Sequence, residues 1–139
     1  METATKLVTW SSQYSVGIAR IDTEHQRLIE LVNELYTAML EGRGKSVMGK
    51  VLDGLTAYTV SHFGNEERLM RVHSYPEFAA HKAEHDKLVK QVMHLQQEHR
   101  KGKAVISMEV MRFLQHWLVD HICGVDKKYT EHLHAAGLK

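Results

Sequence analysis

Hydrophobic residues recur along most of this chain at the spacing of one face of an α-helix. Four stretches show this period of about 3.6 residues. Glycines or proline separate them, at Gly42 and Gly44, at Pro76 and at Gly102. The repeated apolar positions are Leu28, Leu31, Val32, Leu35 and Met39; Val51, Leu55, Tyr58 and Leu69; Phe78, Leu88, Val92 and Leu95; and Val110, Phe113, Leu114, Trp117, Leu118 and Ile122. Four amphipathic helices with short connections predict an all-α fold, an up-down-up-down four-helix bundle.

The ends of the chain fit this pattern less well. Thr23 and Gln26 have the spacing of a capping box, which predicts that the first helix starts there. We therefore expect a single domain over residues 1–139, with an extended N-terminal arm over 1–22 that Trp10 anchors. The bundle should span about 23–126, and a short helical tail should cover 127–139.

Length and charge exclude several classes of protein. A chain of 139 residues is long enough for one domain with a real core. Its formal net charge of +1 offers no electrostatic attraction for nucleic acid or an anionic membrane. We see no signal peptide or transmembrane run, and Cys123 is the only cysteine. We therefore expect no nucleic-acid partner, no membrane insertion and a cytoplasmic location.

Histidine is the unusual feature of the composition, with 11 residues. His62 and Glu66 are four residues apart, as are His81 and His85, so each pair projects from one side of its helix. His25 lies on the apolar face of the first helix. Burying several such groups is costly unless a cation neutralises and binds them. The pattern predicts a metal site inside the bundle.

The fourth helix leaves the choice of ligands open. His116 and Asp120 are four apart and pair well by geometry alone, whereas His121 and Asp126 are five apart. Hydrophobic phase favours His121, which lies in line with the apolar stripe. Gly124 could let the helix tighten or end and bring Asp126 round. The residues alone therefore favour His121 and give Asp126 only weak support as its carboxylate partner.

Three local strings carry a resemblance to a known family. HFGNEE at 62–67, FAAHKAEHDKL at 78–88 and WLVDHI at 117–122, followed by VDKKY, resemble the hemerythrins and in particular their bacterial members. The resemblance runs from about Trp10 to Tyr129. It implies a non-haem di-iron site that binds O2 reversibly, and it favours His121 with Asp126 on the fourth helix.

The resemblance also implies a role for each ligand. One iron would be held by His81, His85 and His121, the other by His25 and His62, with Glu66 and Asp126 bridging the two alongside an oxo or hydroxo group. The second iron would keep one open position. An apolar shell would keep water out, and its expected members are Leu28, Ile29, Phe63, Trp117, Leu118 and Ile122.

From this resemblance we expect a monomeric O2-binding protein without enzymatic activity. No protein partner can be identified, although an O2-consuming enzyme would suit such a chain. The six other histidines (His73, His94, His99, His116, His132 and His134) are predicted not to be ligands, and Cys123 is predicted to be a buried, inert thiol.

Two other functions compete with O2 carriage. Ferritin-like di-iron oxidases, peroxidases and iron-handling proteins use Glu-x-x-His on two helices, and only Glu131 with His134 has that spacing here. A sensor of O2 or redox state would normally be fused to a signalling domain, and we expect none in this chain. A zinc protein is a more distant alternative, because no catalytic base is placed for it.

Overall fold

The computed structural model describes residues 6–102 and 107–139, and every regular element in that part of the chain is helical. A short 3₁₀ turn at Ser12–Tyr14 precedes α1 (Ala19–Leu40), α2 (Lys45–Val72), α3 (Phe78–Arg100) and α4 (Met108–Asp120). A π-helical turn at His121–Asp126 leads directly into α5 (Lys127–Ala135). α1 packs against α2 and α4, and α2 also packs against α3. The predicted all-α four-helix bundle is confirmed.

The apolar stripes form the core of the bundle, as the period predicts. Each helix contributes side chains that are almost completely buried: Leu28, Val32 and Leu35 from α1; Leu52 and Leu55 from α2; Leu88 and Val92 from α3; Met111 and Leu114 from α4. Burial of each such side chain stabilises the fold by roughly 1.5–3 kcal/mol relative to its exposure. The core therefore fixes the rotation of each helix about its own axis and, with it, which residues face inward.

The predicted start of α1 was wrong by four residues. The helix begins at Ala19, and the Thr23 hydroxyl donates within the helix to the Ala19 carbonyl at 3.0 Å. Asp22 in the first turn accepts a hydrogen bond from Val16 N at 2.8 Å and one from Ser15 Oγ at 2.5 Å. The positive end of the helix dipole also stabilises a carboxylate at this position. The arm therefore ends before residue 19 rather than at 22.

The arm is tied to the bundle through its backbone. The Asn33 side chain on α1 accepts from Leu7 N and Val8 N, both at 3.0 Å, and donates to Val8 O at 2.8 Å. Val8 is buried, and Trp10 packs against the core close to Tyr14.

The helical tail closes against the same arm. Lys127 Nζ on α5 donates to Gln13 O at 2.7 Å, and His134 Nε2 lies 2.9 Å from Gly17 O. Gly17 has a φ of +76°, and a Cβ there would lie 2.5 Å from His134 Cε1. The positive φ and the close approach of the His134 ring both favour glycine at this position. No helix in the described part of the chain is long and apolar enough to cross a membrane.

Candidate metal centre

Seven polar side chains converge in the middle of the bundle, and all of them are buried. They form two groups, and the possible ligand atoms within each group lie within 4.8 Å of one another. The first group is Glu66, His81, His85, His121 and Asp126; the second is His25, His62, Glu66 and Asp126. Every histidine and carboxylate that the sequence nominated for the site therefore lies in it. The two carboxylates belong to both groups.

Asp126 faces the two groups with different oxygen atoms. Its Oδ1 lies 3.0 Å from His121 Nε2 and 3.1 Å from His81 Nε2. Its Oδ2 lies 3.0 Å from His25 Nε2. One carboxylate thus joins the C-terminal end of the bundle to α1 and α3.

Glu66 lies between the groups in a similar way. Its Oε1 is 3.1 Å from His62 Nε2 and 3.4 Å from His85 Nε2, and its Oε2 is 3.7 Å from His25 Nε2. Tyr129 on α5 donates its hydroxyl to Oε2. Burial and the charge of Glu66 raise the pKa of Tyr129 well above its usual value, so this hydroxyl keeps its proton.

Several of these buried atoms have no hydrogen-bond partner among the described residues. They are both ring nitrogens of His25 and of His121, Nε2 of His62 and His85, Glu66 Oε1 and Asp126 Oδ2. Each such atom costs about 1–3 kcal/mol unless something binds it. Two donors that each lie about 2.1 Å from one ion, at right angles, are about 3.0 Å apart. The separations in both groups fit this geometry, and a nitrogen and oxygen donor set without thiolate suits iron.

The π-helical turn explains how residues five apart on one helix can both face the centre. In a regular α-helix, His121 and Asp126 would point about 140° apart around the axis. The helix widens instead of tightening, and π-helical i→i+5 spacing places both on the inner side. The competing pair, His116 and Asp120, lies on the surface with side chains 73% and 75% exposed. Cys123, in the same turn, is also exposed, so the prediction of a buried thiol was wrong.

The charges in the site stabilise one another strongly. Burial favours the neutral form of Asp126, but the charge of His121 and the close approach of the His121 and His25 rings outweigh burial and hold its pKa far below the usual range. Burial likewise opposes charging of His25, but Asp126 and Glu66 raise its pKa to about 9. Burial also opposes charging of His62, but Glu66 and Glu24 raise its pKa to about 10. The two buried carboxylates are stabilised by positive charge beside them, and protons on the histidines and metal ions compete to supply that charge.

The sequence pattern does not identify the side chains that contact the outer ring nitrogens of the buried histidines. His62 Nδ1 lies 2.6 Å from Glu24 Oε1, and His85 Nδ1 lies 3.0 Å from Glu67 Oε2. Each of these glutamates directly precedes or follows an inward-facing residue, and this position was the sign of the contact that the sequence offered. The contact of Tyr129 with Glu66 could not be predicted, because it depends on the phase of α5 after the π turn.

A cavity of about 10 Å³ adjoins the second group. Its apolar lining is Leu28, Phe63, Trp117, Leu118 and Ile122, and its polar lining is His25, His62, His121 and Asp126. Ile29, the sixth expected member of the apolar shell, is buried in the core but does not line this cavity. The space is about one water molecule in size.

The six remaining histidines lie outside both donor groups. His99 is buried far along α3, where its Nε2 lies 3.1 Å from Lys45 O. His132 and His134 contact the carbonyl oxygens of His73 and Gly17.

A four-helix bundle with two adjoining groups of buried histidines and shared carboxylates defines a dinuclear metal-binding protein. Comparison with known proteins gives the family. The family model described as "Hemerythrin HHE cation binding domain" matches residues 16–133, and the chain belongs to the hemerythrin family. The resemblance seen in the sequence is confirmed, and the predicted di-iron cofactor agrees with both the family and the donor groups.

Curated relatives and solved structures agree with this assignment. The chain is 40% identical to a bacteriohemerythrin of Methylococcus capsulatus over 124 residues, covering 88% of this chain and 94% of that one. It is 36% identical to a bacteriohemerythrin of Stenotrophomonas maltophilia over 129 residues, covering 93% and 83%. A crystal structure of wild-type hemerythrin superposes with a TM-score of 0.86 at 40% identity, covering 91% of this chain and 98% of that one.

Proposed function

We propose that this protein binds dioxygen reversibly at a non-haem di-iron centre and serves as an oxygen carrier, storage or delivery protein. The observation that carries the proposal is the position of Asp126. Its two oxygens lie 3.0 Å from His25 Nε2 on one side and 3.0 Å from His121 Nε2 on the other. A carboxylate placed in this way can bridge two metal ions, and the two donor groups that it joins support a pair of ions.

The donor groups support a specific assignment of ligands. In the proposal, His81, His85 and His121 hold one iron, His25 and His62 hold the other, and Glu66 and Asp126 bridge them. Counted by side chains alone, five residues would hold the first iron and four would hold the second. The second iron therefore has room for a ligand, as a metal site that binds a small molecule requires. Bound iron supplies the electrons for reversible binding of O2.

The position of the cavity supports this asymmetry. It adjoins His25 and His62, the two histidines assigned to the second iron, and it also touches His121 and Asp126; its other walls are apolar. Trp117 in that wall has its indole N–H satisfied by Leu88 O at 3.2 Å. The wall therefore presents no unpaired indole donor that water would solvate. A dry pocket slows the loss of bound oxygen by protonation and side reactions.

The geometry argues against an oxidase of the ferritin type. The spacing Glu-x-x-His occurs at Glu131 and His134, but His134 lies 2.9 Å from Gly17 O on the surface of α5. This pair is not in either donor group. The proposal therefore includes the absence of enzymatic activity. It also includes a monomeric state and a cytoplasmic location, the latter supported by the single cysteine.

Anaerobic reconstitution with Fe(II) tests the proposal directly. We expect two irons per chain, a colourless reduced protein, and uptake of about one O2 per chain with the appearance of colour. Removal of O2 should bleach the protein, and the cycle should be repeatable. One metal per chain, or binding of zinc alone, would contradict the di-iron assignment. Irreversible consumption of O2 or stoichiometric release of hydrogen peroxide would favour the oxidase instead.

A further inference from the structure

Adjacent residues on α1 and on α2 repeat one arrangement. On α1, His25 faces the metal centre while Glu24 points to the boundary with α2. On α2, Glu66 faces the centre while Glu67 points to the boundary with α3. Successive residues on a helix differ by about 100° in direction, so the neighbour of an inward residue reaches the next helix. In both cases, a carboxylate on one helix contacts a histidine on the following helix.

The contacts made by these two carboxylates are direct. Glu24 Oε1 lies 2.6 Å from His62 Nδ1, and its Oε2 accepts from Asn65 Nδ2 at 3.1 Å. Glu67 Oε2 lies 3.0 Å from His85 Nδ1. The glutamate side chains are 16% and 14% exposed, whereas the two histidines are buried. Each glutamate therefore lies between solvent and one histidine of the centre.

The chemistry of this contact decides which ring nitrogen can bind a metal. An ionised carboxylate only accepts hydrogen bonds, so Nδ1 of the histidine must carry the proton. In the neutral imidazole that binds a metal, the lone pair is then on Nε2, the nitrogen that faces Glu66 in both cases. A carboxylate behind an imidazole also fixes the orientation of the ring and raises its basicity as a ligand.

We propose that Glu24 and Glu67 are positioning residues, one for each metal ion. Glu24 acts through His62 on the ion of the second donor group, and Glu67 acts through His85 on the ion of the first. The inference rests on the proposed di-iron function. It adds that each ion has its own outer carboxylate, so that the two ions can be weakened separately.

Release of iron to a chelator tests the inference on the full-length di-ferrous protein under anaerobic conditions. In Glu24→Ala, we expect one of the two irons to leave about 10–100 times faster than in the wild type. Glu24→Gln keeps an oxygen that can accept from Nδ1, so its release rate should lie nearer to that of the wild type. Asn65→Ala is the matched control: it removes the other contact of Glu24 between the same helices but leaves the contact with His62. Its release should stay within about twofold of the wild type, as expected for a contact outside the ligand set.

The second carboxylate and the double variant separate the two ions. Glu67→Ala should also show one fast and one slow iron, and Glu24→Ala combined with Glu67→Ala should show two fast irons. If the double variant keeps a slow iron, both glutamates act on the same ion and the proposal is wrong. Equal effects of Asn65→Ala and Glu24→Ala would show that Glu24 acts through helix packing, which would also overturn it.

Two further measurements keep the outcomes distinct. Circular dichroism spectra of the metal-free variants should match the spectrum of the wild type. If an alanine variant does not fold, Glu24→Asp and Glu67→Asp provide the same test, because the shorter side chain draws the carboxylate oxygen back from Nδ1 of the histidine. Wild-type protein that binds fewer than two irons would refute the proposed function itself. Wild-type protein with two irons and variants that release both irons at the wild-type rate would refute only the role of the glutamates.

Discussion

The π-helical turn at His121–Asp126 uses one residue more than an α-helical turn, and we predict that the protein tolerates the removal of Gly124. Gly124 is exposed, and no atom lies within 4 Å of a Cβ built on it. In an α-helix, residues five apart differ by about 500°, or 140° around the axis, whereas residues four apart differ by about 400°, or 40°. Deletion of Gly124 would make His121 and Asp126 four apart. A regular α-helix would then place both on the inner side, and α5 would keep its phase.

The assays are iron content and urea unfolding. We expect two irons per chain and an unfolding free energy about 1 kcal/mol higher than that of the wild type, because the helix loses an exposed glycine. Deletion of Arg112, which is exposed in the regular part of α4, is the control. It should rotate one half of the helix by about 100° against the other and abolish iron binding. If the Gly124 deletion folds with its full helix content but loses iron, the π turn itself is required and the reasoning is wrong.

Four further predictions follow from the centre. Asp126→Ala should lose iron whereas Asp120→Ala should keep two irons per chain, and iron analysis of both variants checks this. Tyr129→Phe removes the hydroxyl that donates to Glu66, so urea unfolding should show an unfolding free energy lower by about 1–3 kcal/mol. An unchanged unfolding free energy would show that this hydrogen bond does not stabilise the fold. Leu118→Ala should lower stability by about 2–5 kcal/mol and hasten the irreversible loss of O2-dependent colour, since it widens the cavity. In the metal-free protein His25 carries a proton at pH 7, because the pKa of His25 is about 9. Binding of Fe(II) should therefore release protons, and the affinity of the protein for Fe(II) should rise as the pH rises towards 9. A pH-stat titration would show this.

Helical period predicted the fold and the inward direction of the histidines and of Glu66, whereas Asp126 was added by the family resemblance. His62 and Glu66 follow the same i, i+4 rule as the leucines beside them, so their inward direction can be read from spacing alone. The start of α1 was misplaced because a capping pattern at Thr23 is a local signal. It competed with Asp22, whose partners at Ser15 and Val16 belong to the folded arm.

What could not be predicted depends on contacts between helices. The spacing of His121 and Asp126 violates the α-helical rule, and residues alone favoured only one of them until the family resemblance was added. Glu24 and Glu67 were missed because they lie where two neighbouring helices meet at the surface, and polar residues are usual there. Which side chain each glutamate contacts depends on the rotation of the next helix. The folded structure supplies that rotation, and the sequence pattern does not.

The joining of α1 to the π turn through Asp126 has a consequence for biosynthesis. His25 and Glu66 emerge early from the ribosome, whereas Asp126 follows 60 residues after Glu66. At about 5–20 residues per second, the nascent chain would present an incomplete set of ligands for about 3–12 s. A pair of ions joined by Asp126 therefore cannot assemble during synthesis of the first three helices. The complete set of donors exists only once Asp126 has been made, and we expect cells that make this protein faster than they import iron to accumulate it in the metal-free form.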